Sequence, residues 1–517
     1  MGQKVLLRGG HVYSPADPGA TALLIDDGRV GWLGADADAP AGADRTVELA
    51  GALVTPAFVD AHVHATSTGV ALRGLDLTGA RTRGEALDRV AAHAKGLPGD
   101  AVVLGHGWDE SGWPDRTPPT PAELDRAADG RRVYLSRVDM HSCVVSAALF
   151  AAAAPDTPGY GADGWLRRDS HHEVRAVALD SLGPAQRADA QRAALRQATS
   201  VGIAAVHECG GPSIGGEDDL TALLALSGAD RLPEVYGYWG ELGGAAKARD
   251  LGALGAAGDL FADGALGSRT AHLRQPYTDE PGSSGHGYVT AAQVAEHLVG
   301  CTEHEIQGGF HAIGDAALGT VLAGFALAAA TVGLDRLRAR RHRIEHVEMV
   351  DKALIGGLVE FGVVASMQPA FDRLWGGPDR MYAQRLGPDR AVATNPFAAM
   401  AGVGVALAFG SDSPVTPLDP WGSVRAAFNH RNPNQRLTVR QAFAAHTRGG
   451  WRAVHRDGDG VLAPGAPATL AVWDGAGGSP LELYRGLPAL ADGPDGAPPP
   501  KPTCRLTVLR GTAIYWT

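Results

Sequence analysis

The chain is short of cysteine, lysine and any one-sided run of charge. Its four cysteines, Cys143, Cys209, Cys301 and Cys504, stand far apart in 517 residues and form no CxxC pair. That excludes a disulfide framework and a structural zinc ribbon. The net charge of −11 is spread without an acidic tail, and the one basic run is RLRARRHR at 336–343. A nucleic-acid binder carries a basic stripe, so no nucleic-acid partner is expected. The opening MGQKVLLRGGHVYS lacks an apolar leader and a cleavage site, which predicts no signal peptide. The longest apolar stretch, Leu318 to Leu334, is short for a bilayer span and reads as a buried helix. The 70 Gly and 33 Pro follow no fixed period, so they mark turns and not collagen. What remains is a soluble globular protein, expected in the cytoplasm with no membrane partner.

Apolar residues at 45 % and charged residues at 20 % are enough to fill large cores. Residues 4–55 alternate short β-type runs with turn residues, and 460–474 and 504–517 repeat that style. The expectation is a small β-sandwich domain made from 1–55 together with 456–517. Between these ends, apolar strands alternate with Ala-rich helical stretches, the pattern of βα units on a parallel sheet. Eight strand candidates lie at 52–64, 203–208, 234–240, 258–264, 308–314, 342–348, 362–369 and 404–412. They predict an α/β fold, a (β/α)8 TIM barrel over 56–455, with 70–200 as a large insertion after the first strand. Two strands of that insertion are expected at 101–108 and 133–141.

His62-Val63-His64 ends the first barrel strand. Residues i and i+2 of a strand share a face, so both imidazoles can reach one metal ion. His311, His346 and Asp412 each end a later predicted strand, and those ends converge on the mouth of such a barrel. Four histidines and an aspartate so placed read as ligands of a divalent metal, zinc first among candidates. A bound zinc lowers the pKa of water to about 7 and polarises a carbonyl. Asp412 beside it suits a general base that later acts as acid. Hydrolysis is the chemistry this set performs.

The ordered motifs PAFVDAHVH, FADGALGSRTA, HAIGD, RIEHVE, SMQP and AFGSDSPV resemble the amidohydrolase superfamily, in particular its amidohydrolase-3 branch. Gly105-His106-Gly107-Trp108-Asp109 and Arg137-Val138-Asp139-Met140-His141 match two further motifs of that branch's insertion. The resemblance implies a metal-dependent hydrolase of small-molecule C–N bonds, usually amides. N-substituted formamide deformylases are one type in the branch, and a homodimer is compatible with it. A deaminase on the same site and a non-catalytic barrel are the rival readings. Branch members carry a lysine, carboxylated to bridge two metals, where this chain has Asp259. Its five lysines (Lys4, Lys95, Lys247, Lys352, Lys501) lie at no predicted strand end, which speaks against a carbamate. Asp259 as a ligand or bridge, Glu208 or Cys209 reaching in, and a one-metal site all stay open. One strongly held metal is favoured, because aspartate is much shorter than a carbamylated lysine.

Other residues are read as substrate contacts, each with a plainer alternative. Arg269 suits a planar carboxylate or carbonyl, or else a surface ion pair. Asp139 and His141 are placed over the site by the resemblance, with a structural histidine as the alternative. Trp108 walls a pocket or packs in a core. Gln368 ends the seventh strand and is a further candidate for touching substrate.

Overall fold

The computed structural model describes residues 4–97, 101–479, 481–491 and 497–517. Its centre is an eight-stranded parallel sheet rolled into a nearly closed barrel. The strands are β1 (Phe58–Val63), β2 (Ile203–Gly210), β3 (Glu234–Trp239), β4 (Gly255–Ala256), β5 (Gln307–Ala312), β6 (Arg343–His346), β7 (Val364–Met367) and β8 (Ala406–Phe409). Neighbours in sequence are neighbours in the sheet, and a bridge between Val63 and Ser413 joins the two edges. Every residue of β1, β2, β5, β6 and β7 is buried, as expected of strands covered on both faces.

The fourth strand departs from the sequence reading. Only Gly255–Ala256 form a ladder, and the expected strand at 258–264 is irregular apart from a bridge from Phe261 to His311. Gly258 is the cause. Its φ of +78° breaks the extended backbone, and an added Cβ would lie 3.0 Å from Cys209. Neither condition suits a residue with a side chain.

Helices Ala291–Glu303, Asp315–Val332 and Lys352–Phe361 pack on one another outside the barrel. Their ends follow local chemistry: Thr290 and Gln293 form a capping box, and Lys352–Phe361 runs from Asp351 to a left-handed Gly362. Asp315–Val332 is long and apolar enough to cross a membrane by composition. Here its Val321, Phe325 and Ala328 are in the barrel's core cluster.

The expected insertion ends earlier than residue 200. Helix Pro184–Ser200 puts Ala194, Leu195 and Ala198 into the barrel core and packs on helix Ala65–Arg73, so it is a helix of the barrel. The insertion has its own five-stranded sheet, in the order 165–167, 142–145, 133–137, 103–108, 75–76. The predicted strand at 133–141 is one arm of a hairpin. It stops at Arg137, turns through Met140 at φ +58°, and returns as Ser142–Val145, with Tyr134 opposite Val145. The turn carries Asp139 and His141.

The two ends of the chain share one sheet. Strands His11–Val12 and Leu53–Pro56 join Leu470–Asp474, Thr503–Leu509 and Thr512–Trp516. A four-stranded sheet of 5–8, 22–26, 29–34 and 45–48 lies with it. Leu7, Leu23, Ile25, Val54, Leu470 and Val508 fill one core between them.

Candidate metal centre

The carboxyl ends of the barrel strands bring His62, His64, Asp259, His311, His346 and Asp412 together, all buried. Asp412 Oδ1 lies 3.4 Å from His62 Nε2 and 3.2 Å from His64 Nε2. Asp259 Oδ1 lies 3.5 Å from His62 Nε2 and 3.6 Å from His311 Nδ1, and its Oδ2 is 3.2 Å from His64 Nε2. The His311 and His346 rings are 4.4 Å apart between centroids. Three triads are tight enough to hold a cation, His62–His64–Asp412, His62–Asp259–His346 and His62–Cys209–Glu345.

The backbone helps to aim these groups. His346 and Asp412 both adopt left-handed φ, +69° and +55°, where the strands give way to loops. Asp412 N–H donates to the carbonyl of His62 at 2.8 Å, which ties the end of β8 to the end of β1.

Each imidazole is oriented by a partner on its far side. Glu345 Oε2 holds His62 Nδ1 at 2.9 Å, and Gln368 Oε1 holds His346 Nδ1 at 2.8 Å. The Gly264 carbonyl lies 3.3 Å from His311 Nε2. Such outer contacts fix the tautomer and leave one nitrogen facing the centre. Glu345 is in turn gripped by the fully buried Arg343, whose Nη2 lies 2.9 Å from Oε2. Arg343 holds the Glu345 carboxyl well below its usual range against the opposing effect of burial.

The donor set fits a divalent cation. His62 Nε2, Asp259 Oδ1 and His311 Nδ1 are buried and have no hydrogen-bond partner among the described residues. Orphaned buried polar atoms are costly, and several converging on one point mark a ligand position. Electrostatics agree. Burial pushes His64 down, but Asp259 and Asp412 reverse this and lift it to about 9. Burial would raise Asp259, yet His62, His311 and His64 hold it well below the carboxylate range. The carboxylates likewise raise His62 and His311 against burial, whereas burial pushes His346 well down.

Several residues expected at this site serve elsewhere. Glu208 Oε2 accepts the Ala65 N–H at 2.7 Å, so it caps helix Ala65–Arg73 and is outside all three of these triads. Cys209 does come within reach, in the triad with His62 and Glu345, although burial pushes its thiol up to about 12. Gln368 spends its amide oxygen on His346. Arg269 takes its plainer alternative, with Nη2 2.8 Å from Asp279. Trp108 is fully buried in the insertion core with Trp113 and Trp165, its indole N–H on the Leu135 carbonyl at 2.9 Å.

Asp139 and His141 do reach the site. A small cavity of about 20 Å³ is lined by Asp412, His346, His141 and Asp139, with Phe371, Trp375 and Met381 as apolar walls. The His141 ring lies 5.0 Å from that of His311, and burial pushes its pKa down to about 3. Asp139 is held by Arg137 Nη1 at 2.9 Å and by the Ser268 hydroxyl at 2.7 Å. Arg137 also binds Glu110, which meets Arg385 at 3.2 Å. This buried network fastens the insertion to the barrel loops.

Sequence reasoning missed Glu345, Glu348, Tyr382 and His172. Glu348 and Tyr382 line the same cavity, and burial lifts the Glu348 carboxyl to about 7. His172 packs its ring 5.3 Å from Phe261. The RIEHVE run did carry a signal. Charged residues inside an otherwise apolar strand demand buried partners.

A family model described as "Amidohydrolase family" matches residues 45–515. The chain belongs to the amidohydrolase family. It is 25 % identical over 528 aligned positions to the amidohydrolase YtcJ of Bacillus subtilis, covering 91 % of this chain and 94 % of that one. A shorter likeness, 28 % identical over 148 positions, covers 28 % of the chain and 26 % of the N-substituted formamide deformylase of Arthrobacter pascens. Among solved structures, a metal-dependent hydrolase of Pyrococcus horikoshii OT3 matches with TM-score 0.74 and 25 % identity, over 94 % of this chain and all of that one. The family places the chain among hydrolases, and its donor set suits a divalent metal.

Proposed function

We propose that the protein hydrolyses a C–N bond of a small molecule, an amide, N-acyl or N-formyl compound. The observation that carries this reading is Asp412. Its carboxylate touches both histidines of the HxH pair and also lines the small cavity beside them. A divalent metal, zinc in our reading, would be held by His62, His64, His311, His346 and Asp412 with Asp259 beside them. Once bound, it would supply acidified water and a polarised carbonyl.

The chain's own groups do the rest. Asp412 takes the proton of the attacking water and returns it to the departing nitrogen, so the amine leaves neutral. His141 faces the same cavity and donates a hydrogen bond toward the carbonyl oxygen. Phe371, Trp375 and Met381 exclude water and favour an apolar substituent, while Asp139 keeps the turn bearing His141 in place. The four cysteines are free and buried, which suits a reducing compartment, and we place the chain in the cytoplasm.

The test is product analysis with purified, metal-loaded protein on a panel of N-acyl and N-formyl amines and of amino-substituted heterocycles. Release of carboxylate and amine supports the reading. Ammonia from the heterocycles alone would replace it with a deaminase, and no turnover with full metal content would favour a non-catalytic barrel.

A further inference from the structure

Arg175, on helix Arg168–Leu179 of the insertion, is 4 % exposed and forms no ion pair among the described residues. Its contacts are neutral. Nη2 donates to the Ser67 hydroxyl at 3.0 Å, and Nη1 to the Ser213 carbonyl at 3.4 Å. Arg137, Arg343 and Arg385 are as deeply buried, and each grips a carboxylate. A buried charge is costly unless it is paired, so Arg175 calls for an anion that the chain does not supply. A guanidinium has five N–H donors, and the two neutral contacts leave it donors to spare.

The surroundings show where that anion comes from. Arg175 lines a cleft of about 190 Å³ that His64 also lines. A water needs about 10–15 Å³, so the cleft has room for a small organic molecule. Ser67, which Arg175 holds, is on the first turn of the helix that His64 caps, so the guanidinium stands close to the centre. The other charged groups of the cleft are engaged. Glu208 accepts the Ala65 N–H, and Asp219 accepts from the Thr66 hydroxyl at 2.9 Å and the Gln191 amide at 3.2 Å. At the exposed rim Asp180 meets Arg187 at 3.5 Å, and Arg187 also donates to the Leu179 and Leu182 carbonyls. On the reading above that the protein cleaves small amides, we infer that Arg175 receives a carboxylate of the substrate. The substrates are then amides that carry a carboxylate, N-acyl amino acids being the simplest. Guanidinium suits that role because it meets a carboxylate through two parallel N–H bonds.

The experiment is calorimetric titration of the full chain, metal-loaded and chelator-stripped, with N-methanesulfonyl-alanine and with its primary carboxamide. Neither probe has a scissile N-acyl bond. The carboxylate should bind about ten- to a hundredfold tighter than the carboxamide, with metal and without it. Arg175→Met should erase that ratio and leave the carboxamide affinity where it was, while Arg175→Lys should keep part of it. Equal binding of the two probes to the wild-type protein, a comparison that needs no variant to fold, would overturn the assignment. So would an Arg175→Met protein that weakens both probes alike, as a purely structural arginine would, or one that keeps the ratio. A preference that vanishes on stripping would put the carboxylate on the metal and overturn it too. Cleavage of neutral N-acyl amines with no preference for a carboxylate sinks this inference alone. An Arg175-dependent preference without any amide cleavage sinks the proposed reaction alone.

Discussion

Glu345 Oε2 sits 2.9 Å from His62 Nδ1, and neither residue has any solvent exposure. The contact decides which nitrogen of His62 faces the centre. Glu345→Ala removes it and leaves Arg343 buried without its carboxylate. The expected result is a ten- to hundredfold loss of metal affinity, the usual effect of removing such an orienting partner. Competition titration against a chelator measures it, and an unchanged dissociation constant would mean that His62 is held by packing alone.

Asp412→Asn keeps the shape of the side chain and removes its basicity. Turnover should fall by about a hundred- to ten-thousandfold if Asp412 moves the proton. Metal content, measured on the same preparation, separates this effect from loss of a ligand. Full turnover with full metal would eliminate the proton-transfer role.

Arg137 is fully buried against Glu110 and Asp139. Arg137→Met leaves Asp139 without its cation and Glu110 with Arg385 alone, at a cost of about 3–5 kcal/mol. Chemical unfolding should show the loss, and KM should rise because the turn bearing His141 loosens. A change under about 1 kcal/mol would show that the network relaxes without Arg137.

Burial lifts the Glu208 carboxyl from 4.5 to about 7. The folded protein therefore holds this proton more tightly than the unfolded chain. The stability from that proton is complete below pH 4.5 and is lost as pH rises through 7, by about 3 kcal/mol in all. In the metal-free protein, Glu208→Gln should flatten the stability profile between pH 5 and 7. Parallel profiles for the two proteins would show that Glu208 titrates normally.

The barrel and the cluster of His62, His64, His311, His346 and Asp412 were legible because each residue ends an apolar run, and strand ends converge in this architecture. Position in a repeating unit is a one-dimensional property. The fate of Glu208, Gln368 and Arg269 is not, since each also ends a strand or follows one. Glu208 met a helix N-terminus, Gln368 met a histidine, and Arg269 met Asp279, all partners distant in sequence. The fourth strand misled for a different reason. LFAD has the apolar content of a strand, and only the backbone angle of Gly258 shows that the ladder has already ended. The boundary at 200 failed because helix Pro184–Ser200 is Ala- and Gln-rich, so its sequence does not reveal which of two cores it covers.

The sheet that unites the two ends of the chain has a consequence for synthesis on the ribosome. Strand Leu53–Pro56 emerges before its neighbour Leu470–Asp474, which follows more than four hundred residues later. At about 5–20 residues per second, that edge waits tens of seconds with open hydrogen-bonding groups. Buried Val54 and Leu53 wait with it. The nascent chain thus presents a sticky strand until residues 470–474 emerge, and a holding chaperone that shields residues 53–56 should raise the yield of folded protein.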